Sequence, residues 1–179
     1  IYYYTLSSNQ YLLVAQHNLG VIYNEGKYVE RDINKAIHYF EMAAKLNYAE
    51  SQHNLGLIYN EEKYIGRDIN KSIRYFEMAA KQNFVLSQRN LGIIYQYSYH
   101  IPHDINKAIY YYTLAANQND AISQNNLAAI YIDENIDKAI YYFKLAAKQN
   151  CSLSQFNLGV IYMKKDINKS IYYFSLSAA

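Results

Sequence analysis

Apolar residues recur along this chain at the spacing of a helix, and the spacing returns in blocks. Ala15, Leu19, Ile22 and Tyr23 fall on one helical face. Ala36, Ile37, Phe40, Ala43 and Ala44 form a second stripe. Between the two stripes stands Asp32, placed to cap the second helix by offering its carboxylate to free backbone N–H groups. After the second stripe comes Asn47, a residue that tolerates the left-handed conformation with which helices end. The pattern therefore predicts two helices per block.

The blocks repeat through the whole chain. "NLG" begins at Asn18, Asn54, Asn90 and Asn157, with "NLA" at Asn126, giving spacings of 36, 36, 36 and 31 residues. In phase with it run "DINKAIHYF" from Asp32, "DINKSIRYF" from Asp68, "DINKAIYYY" from Asp104, "NIDKAIYYF" from Asn135 and "DINKSIYYF" from Asp166. Asn83, Asn119 and Asn150 repeat the stop at Asn47. Small Ala43 and Ala44 let helices approach closely, and large Tyr39 and Phe40 fill the space beside them. One helix pair cannot bury its own stripe, so stacking onto the next pair is expected to form an extended solenoid.

The alternation of Ala-x-x-x-Leu-Gly-x-x-Tyr with Asp-x-x-Lys-Ala-x-x-Tyr-Tyr-x-x-Ala-Ala resembles SEL-one-like repeats (SLR), a subclass of tetratricopeptide-like helical repeats. The first full unit carries it on Ala15, Leu19, Gly20, Tyr23, Gly26, Val29, Asp32, Lys35, Ala36, Tyr39, Phe40, Ala43 and Ala44. The resemblance implies an all-α, right-handed superhelical α-solenoid of stacked antiparallel helix pairs, with about eleven helices. The expected organisation is a single array over 1–179. Residues 1–10 form the second helix of a truncated repeat, and helix pairs follow at 11–46, 47–82, 83–118, 119–149 and 150–179. Three features depart from the family pattern. Asparagine replaces the usual glycine after the Ala-Ala helix. Gly26 becomes Glu62 and then Ser98. The last two inter-helix loops are five residues shorter, which puts their geometry in question. Both ends of the array fall inside second-type helices and expose an apolar face. The expectation is an excerpt from a longer protein, or end-to-end self-association.

Composition narrows the function. Among 179 residues, 17 basic and 15 acidic side chains leave a net charge of +2, too balanced for a nucleic-acid or anionic-membrane surface. No apolar run approaches the roughly 20 residues that span a bilayer, so direct membrane insertion of this segment is not expected. The one cysteine, Cys151, permits no internal disulfide and favours a reducing, cytoplasmic setting over an organelle lumen. The 23 tyrosines are β-favouring residues, yet they fall at helical spacing. Tyr39, Tyr75, Tyr111 and Tyr142 lie on the apolar stripe, so core packing is preferred to base stacking.

No catalytic residue, cofactor site or metal site is expected. His17 and His53 lie one repeat apart, on the order of 10 Å, too far to share a zinc. His100 and His103 flank Pro102 with no carboxylate or cysteine beside them. Cys151 reads as a packing residue. The never-varying glutamines (Gln16, Gln52, Gln88, Gln124, Gln155) and asparagines (Asn18, Asn54, Asn90, Asn126, Asn157) read as ties to backbone groups.

Positions that differ between copies are candidates for recognition. Superposing the Leu-Gly-Tyr frame on tetratricopeptide repeats turns one face of the first helices toward the concave groove. That face carries His17, His53, Arg89, Asn125 and Phe156, together with Glu50, Asn24, Asn60 and Gln96. The rows change from polar and basic to apolar along the chain, as Leu86, Ile122, Leu153, Ile132 and Met163 join them. The expected function is a non-catalytic scaffold or adaptor that binds a protein or peptide along this face. The resemblance adds precedents in signalling, protein quality control, kinase-linked arrays and, for cysteine-rich relatives, β-lactam binding. This chain lacks the paired cysteines of that last group. The alternative is a regulatory or targeting segment of a larger enzyme whose catalysis lies outside this chain.

Overall fold

The computed structural model describes the backbone of residues 2–62 and 66–178, and the side chains of 11–62 and 66–178. The described residues form ten α-helices and no strand. In chain order these are α1 (Tyr2–Glu25), α2 (Ile33–Lys45), α3 (Ala49–Asn60), α4 (Ile69–Ala80), α5 (Val85–Tyr97), α6 (Ile105–Asn117), α7 (Ala121–Tyr131), α8 (Ile136–Ala147), α9 (Ser152–Tyr162) and α10 (Ile167–Ser177). Odd-numbered helices carry the Leu-Gly motif, Leu-Ala in α7, and even-numbered helices the Ala-Ala motif, Ser177-Ala178 at the end of α10. Residues 1–91 and 92–179 make two compact units, with the boundary inside α5. Within the first, α1 packs on α2, α2 on α3 and α3 on α4. Within the second, each of α6 to α10 packs on the next.

The helix ends follow the caps read from the sequence. Asp32, Asp68, Asp104, Asn135 and Asp166 each accept the backbone N–H three residues on, at 2.9 to 3.1 Å. Each cap residue also donates its own N–H to the carbonyl of the tyrosine that stands three residues after the motif glycine, or Ala128, of the preceding helix. The bond is 3.0 Å from Asp32 to Tyr23 and 2.8 Å from both Asn135 to Tyr131 and Asp166 to Tyr162. The bond survives although the separation falls from nine residues to four, so the shortened loops leave the helix pairing intact.

At the far ends, Asn47, Asn83, Asn119 and Asn150 have φ of 60 to 67°. The two N–H groups after Ala44 and its copies fold back on the Ala-Ala carbonyls: Asn47 donates to Ala44 at 2.9 Å and Tyr48 to Ala43 at 3.1 Å. The same stop explains a difference in helix count. The expected separate helix over 1–10 runs on into α1 without a break. Tyr11 stands at the register place of Asn47, and a tyrosine pays a steric penalty in the left-handed region. The side chains of 1–10 lie outside the described residues.

The helices of a pair meet at one point. Gly20, Gly56 and Gly92 lie under the rings of Phe40, Phe76 and Tyr112, so close that a Cβ would sit 2.5 Å from a ring carbon. Phe40, Phe76, Tyr112 and Phe143 are fully buried, as are Leu55, Leu91, Leu127 and Leu158. The fourth repeat carries Ala128 in the glycine's place, buried in one cluster with Phe143. Beside each contact the tyrosine three residues after the glycine or Ala128 stacks flat on a tyrosine of the second helix. Tyr23 and Tyr39 are 5.8 Å apart at 4°, and Tyr95 and Tyr111 5.8 Å apart at 2°. A lysine of the cap motif lies over the first ring of each pair, from 5.4 Å at Lys169 to 3.8 Å at Lys138. The tyrosines are thus held in stacks at helical spacing, which is why their strand preference does not prevail.

Gly56→Ala is expected to destabilise the array by about 1–3 kcal/mol, because the Phe76 ring must move off the helix. Thermal unfolding followed by circular dichroism should show a lower midpoint than wild type. An unchanged midpoint would show that the close approach is not a constraint.

Candidate functional site

The invariant glutamines are built into the stack. Gln52 Nε2 donates to the Ala44 carbonyl, Gln88 to Ala80, Gln124 to Ala116 and Gln155 to Ala147, each at 3.2 Å. These carbonyls close the preceding second helix, so one side chain ties the start of each repeat to the end of the last. The amide oxygens are used as well. Gln82 Nε2 donates to Gln52 Oε1, and Gln149 Nε2 to Gln124 Oε1, both at 2.8 Å. The asparagine column shows no repeating backbone bond of this kind among the described residues. Asn126 Oδ1 faces Asn125 Nδ2 at 3.5 Å instead.

Several candidate recognition residues bridge repeats. His17 is half-buried, with Nδ1 hydrogen-bonded to Ser51 Oγ at 2.9 Å and its ring against Phe40 and Tyr48. His53 repeats the arrangement with Ser87 at 2.9 Å, between Phe76 and Phe84, and is only 7% exposed. Asn125 is equally buried and accepts the Ser154 hydroxyl at 2.8 Å. The serines Ser51, Ser87 and Ser154 stand immediately before the invariant glutamines and are fully buried. Sequence reasoning passed over this column, although the recurring Ser-Gln pair was its signal.

Other candidates also have structural partners. Gln96 Oε1 accepts the hydroxyl of Tyr112 at 2.9 Å, which is the polar outlet a buried tyrosine needs. Asn24 accepts Arg31 Nη2 at 3.4 Å. Arg67 Nε donates to the backbone carbonyl of Asn60, whose side chain is half-buried, at 2.7 Å. Arg89 is half-buried and its charge acts on His53. Glu50 is exposed in the first turn of α3.

Phe156 behaves differently. It is 49% exposed with its ring tilted on Phe174, and on the same face of α9 Leu153, Val160 and Met163 are exposed too. Their spacing of three, four and three residues is that of one helical stripe. On α7 the matching positions include exposed Ile122, Ala129 and Ile132. Ser154 and Asn125 hold α9 and α7 side by side, so the two stripes adjoin.

No group of three or more His, Cys, Asp or Glu with metal-ligand geometry occurs among the described residues. Cys151 is half-buried at the start of α9, and its sulfur lies 3.4 Å from the Ser154 hydroxyl. No described helix is long and apolar enough to cross a membrane.

The Sel1 repeat family model matches residues 13–48, 49–84, 85–120, 121–151 and 152–179. No curated protein matches the chain. Among solved structures, a protective antigen present in uropathogenic Escherichia coli strains, displaying an SLR fold, is 26% identical over 93% of this chain, with a TM-score of 0.83. This chain spans only 38% of that antigen's length. A Sel1 repeat protein from Oxalobacter formigenes is 26% identical over 98% of this chain and 76% of its own, with a TM-score of 0.80. An immunity protein from Pseudomonas aeruginosa, 20% identical over 93% of this chain and 67% of its own, shares the fold at a TM-score of 0.58.

Burial pushes the His53 imidazole down to about 4, with Arg89 adding to the shift. The unfolded chain therefore binds this proton more readily than the folded one. Stability from the neutral ring is complete above the ordinary histidine value and is lost as pH falls from about 6.5 toward 4, by up to about 3 kcal/mol. His53→Asn reproduces the Asn125–Ser154 pairing without a titrating group. Urea unfolding at pH 7 and pH 5 should show a smaller loss for the variant than for wild type. Equal losses would remove His53 as the source.

Proposed function

The chain belongs to the Sel1 repeat family, and on that basis we propose that it is a non-catalytic interaction scaffold whose first-helix face takes an apolar segment of a protein or peptide partner. The observation that carries this reading is the exposed stripe of Leu153, Phe156, Val160 and Met163 on α9, adjoining Ile122 and Ile132 on α7. Leu153 is 59% exposed, and none of these side chains is needed for the glutamine, serine or glycine contacts that hold the repeats. A contiguous apolar surface of this kind marks an interaction site more often than an isolated exposed leucine does. Regular spacing along two adjoining helices suits an extended or helical segment with apolar side chains at intervals.

The candidates in residues 1–91 take a different place in this reading. His17 and His53 set the geometry between repeats, whereas Glu50 and the exposed Leu57 remain open to a partner. Recognition in the first unit is therefore more polar than in the second. This agrees with the change along the rows of the sequence.

A phage-displayed peptide library selected on the immobilised chain tests the reading. Selected peptides should be enriched in apolar residues. Phe156→Asp combined with Val160→Asp should weaken their binding by at least about tenfold, some 1.4 kcal/mol, while the helical circular dichroism is kept. Peptides that bind the double variant as well as wild type would place recognition elsewhere.

A further inference from the structure

A second surface lies on the even-numbered helices, away from the stripe just described. Between α8 and α10, a cleft of about 320 Å³ is lined by Tyr141, Tyr172, Tyr173, Leu176, Lys144 and Lys148. The first unit has its counterpart between α2 and α4, a cleft of about 210 Å³ lined by Glu41, Lys45, Arg74, Tyr75 and Met78. The repeat register makes the comparison position by position. Lys144 stands where Glu41 does, Tyr141 where His38 does, Tyr172 where Arg74 does, and Leu176 where Met78 does.

The two clefts differ in how their charge is answered. In the first, Glu41 sits beside two cations and accepts the Tyr75 hydroxyl at 3.4 Å. That cleft supplies its own anion. In the second, the acid has become a lysine, and the described lining holds two ammonium groups and no carboxylate. The walls have become aromatic at the same time. Tyr141 and Tyr172 are both exposed, and each is braced edge-on by its neighbour: Tyr142 at 5.1 Å and 72°, Tyr173 at 5.2 Å and 68°. A braced ring offers a stacking surface with little freedom left to lose on binding.

We propose that the α8–α10 cleft binds a single aromatic ring that carries a carboxylate. The ring lies between Tyr141 and Tyr172, and the carboxylate is met by Lys144 and Lys148. Size supports one ring with a short arm, because 320 Å³ is at the small end of ligand cavities. Charge supports an anion, since two ammonium groups with no acid among the described lining are matched by a ligand carboxylate. Such a group occurs in a free aromatic acid and in the C-terminal aromatic residue of a peptide. The proposal is independent of the first-helix face, and its test leaves Phe156 and Val160 untouched.

The test uses the whole chain with ring-labelled tyrosine, observed by NMR, with Tyr141 and Tyr172 assigned through Tyr→Phe variants. Titration with 3-phenylpropionate should shift both signals saturably, and 3-phenylpropanamide should bind at least about tenfold more weakly. Lys144→Glu restores the residue the repeat carries at Glu41, so the fold is kept, and the response to the carboxylate should disappear. Tighter binding of N-acetylphenylalanine than of 3-phenylpropionate would support a peptide C-terminus as the source. The reverse order would support a free acid. Equal binding of acid and amide, an undiminished response in Lys144→Glu, or no saturable shift up to about 10 mM would overturn the proposal.

Discussion

The contact between a helix backbone and an aromatic ring governs everything else in this chain. At Gly20, Gly56 and Gly92 the first helix has no Cβ, and the ring of Phe40, Phe76 or Tyr112 fills the space. The ring in turn is sealed by Leu55, Leu91 and the paired alanines, all buried. Such a contact fixes the distance between the two helices of a repeat to within a fraction of an ångström, because interiors are packed as densely as organic crystals. Once that distance is set, a tyrosine near the end of the first helix falls flat on the tyrosine of the second, and the cap's lysine falls over the first ring. The same geometry recurs in loops of different length. The packing contact therefore sets the register, and the loop accommodates it.

Repeats are joined by polar groups as well as apolar ones. A stack of identical helix pairs leaves the last carbonyls of every second helix pointing into the next repeat, where water is excluded. A buried carbonyl without a partner is costly. Gln52, Gln88, Gln124 and Gln155 answer it, reinforced by the left-handed asparagine that turns the chain into the next helix. A second polar joint runs from His17, His53 and Asn125 to the serine of the following repeat. Histidine and asparagine both serve there, because each can reach a serine hydroxyl. The joint made with histidine has one property the asparagine version lacks, a dependence on proton concentration.

Much of this was legible in the sequence. The five capping residues, the four asparagine stops and four of the five glutamine ties follow from type and position, and these are present with the bond expected of them. Those features are local, or they repeat, so periodicity reveals them. What escaped the reading was pairing between columns. His53 stands in a varying column that suggests an open face, yet at three of its five positions, His17, His53 and Asn125, the side chain bonds a buried serine of the following repeat. Gln96 looked like a groove residue for the same reason. Its role appears only with the tyrosine that replaces phenylalanine at position 112, and the partners are sixteen residues apart on different helices. The long α1 was hidden by the opposite error, since the register of 1–10 suggested a repeat while the residue that ends one, an asparagine, was missing at Tyr11.

In an array of this kind, function lies where one copy departs from the others without repair. Gln96 departs together with Tyr112, and the two changes cancel: a hydroxyl was added and an acceptor came with it. Gly to Ala128 is absorbed inside the core. Two departures have no internal counterpart. The polar first-helix face gives way to Leu153, Phe156 and Met163, each about half exposed or more. Glu41 gives way to Lys144, and no acid among the described lining residues takes up the charge that the earlier copy neutralised for itself. An exposed apolar face calls for an apolar partner, and a pair of cations with no acid in the described lining, one of them 5.9 Å from the centre of the Tyr162 ring, calls for an anion with a ring. The two surfaces lie on different helices of the same repeats. A ligand on one can therefore be carried at the same time as a partner on the other, and the Gly-to-ring contact between the helices is the rigid element that holds the two sites at a constant distance.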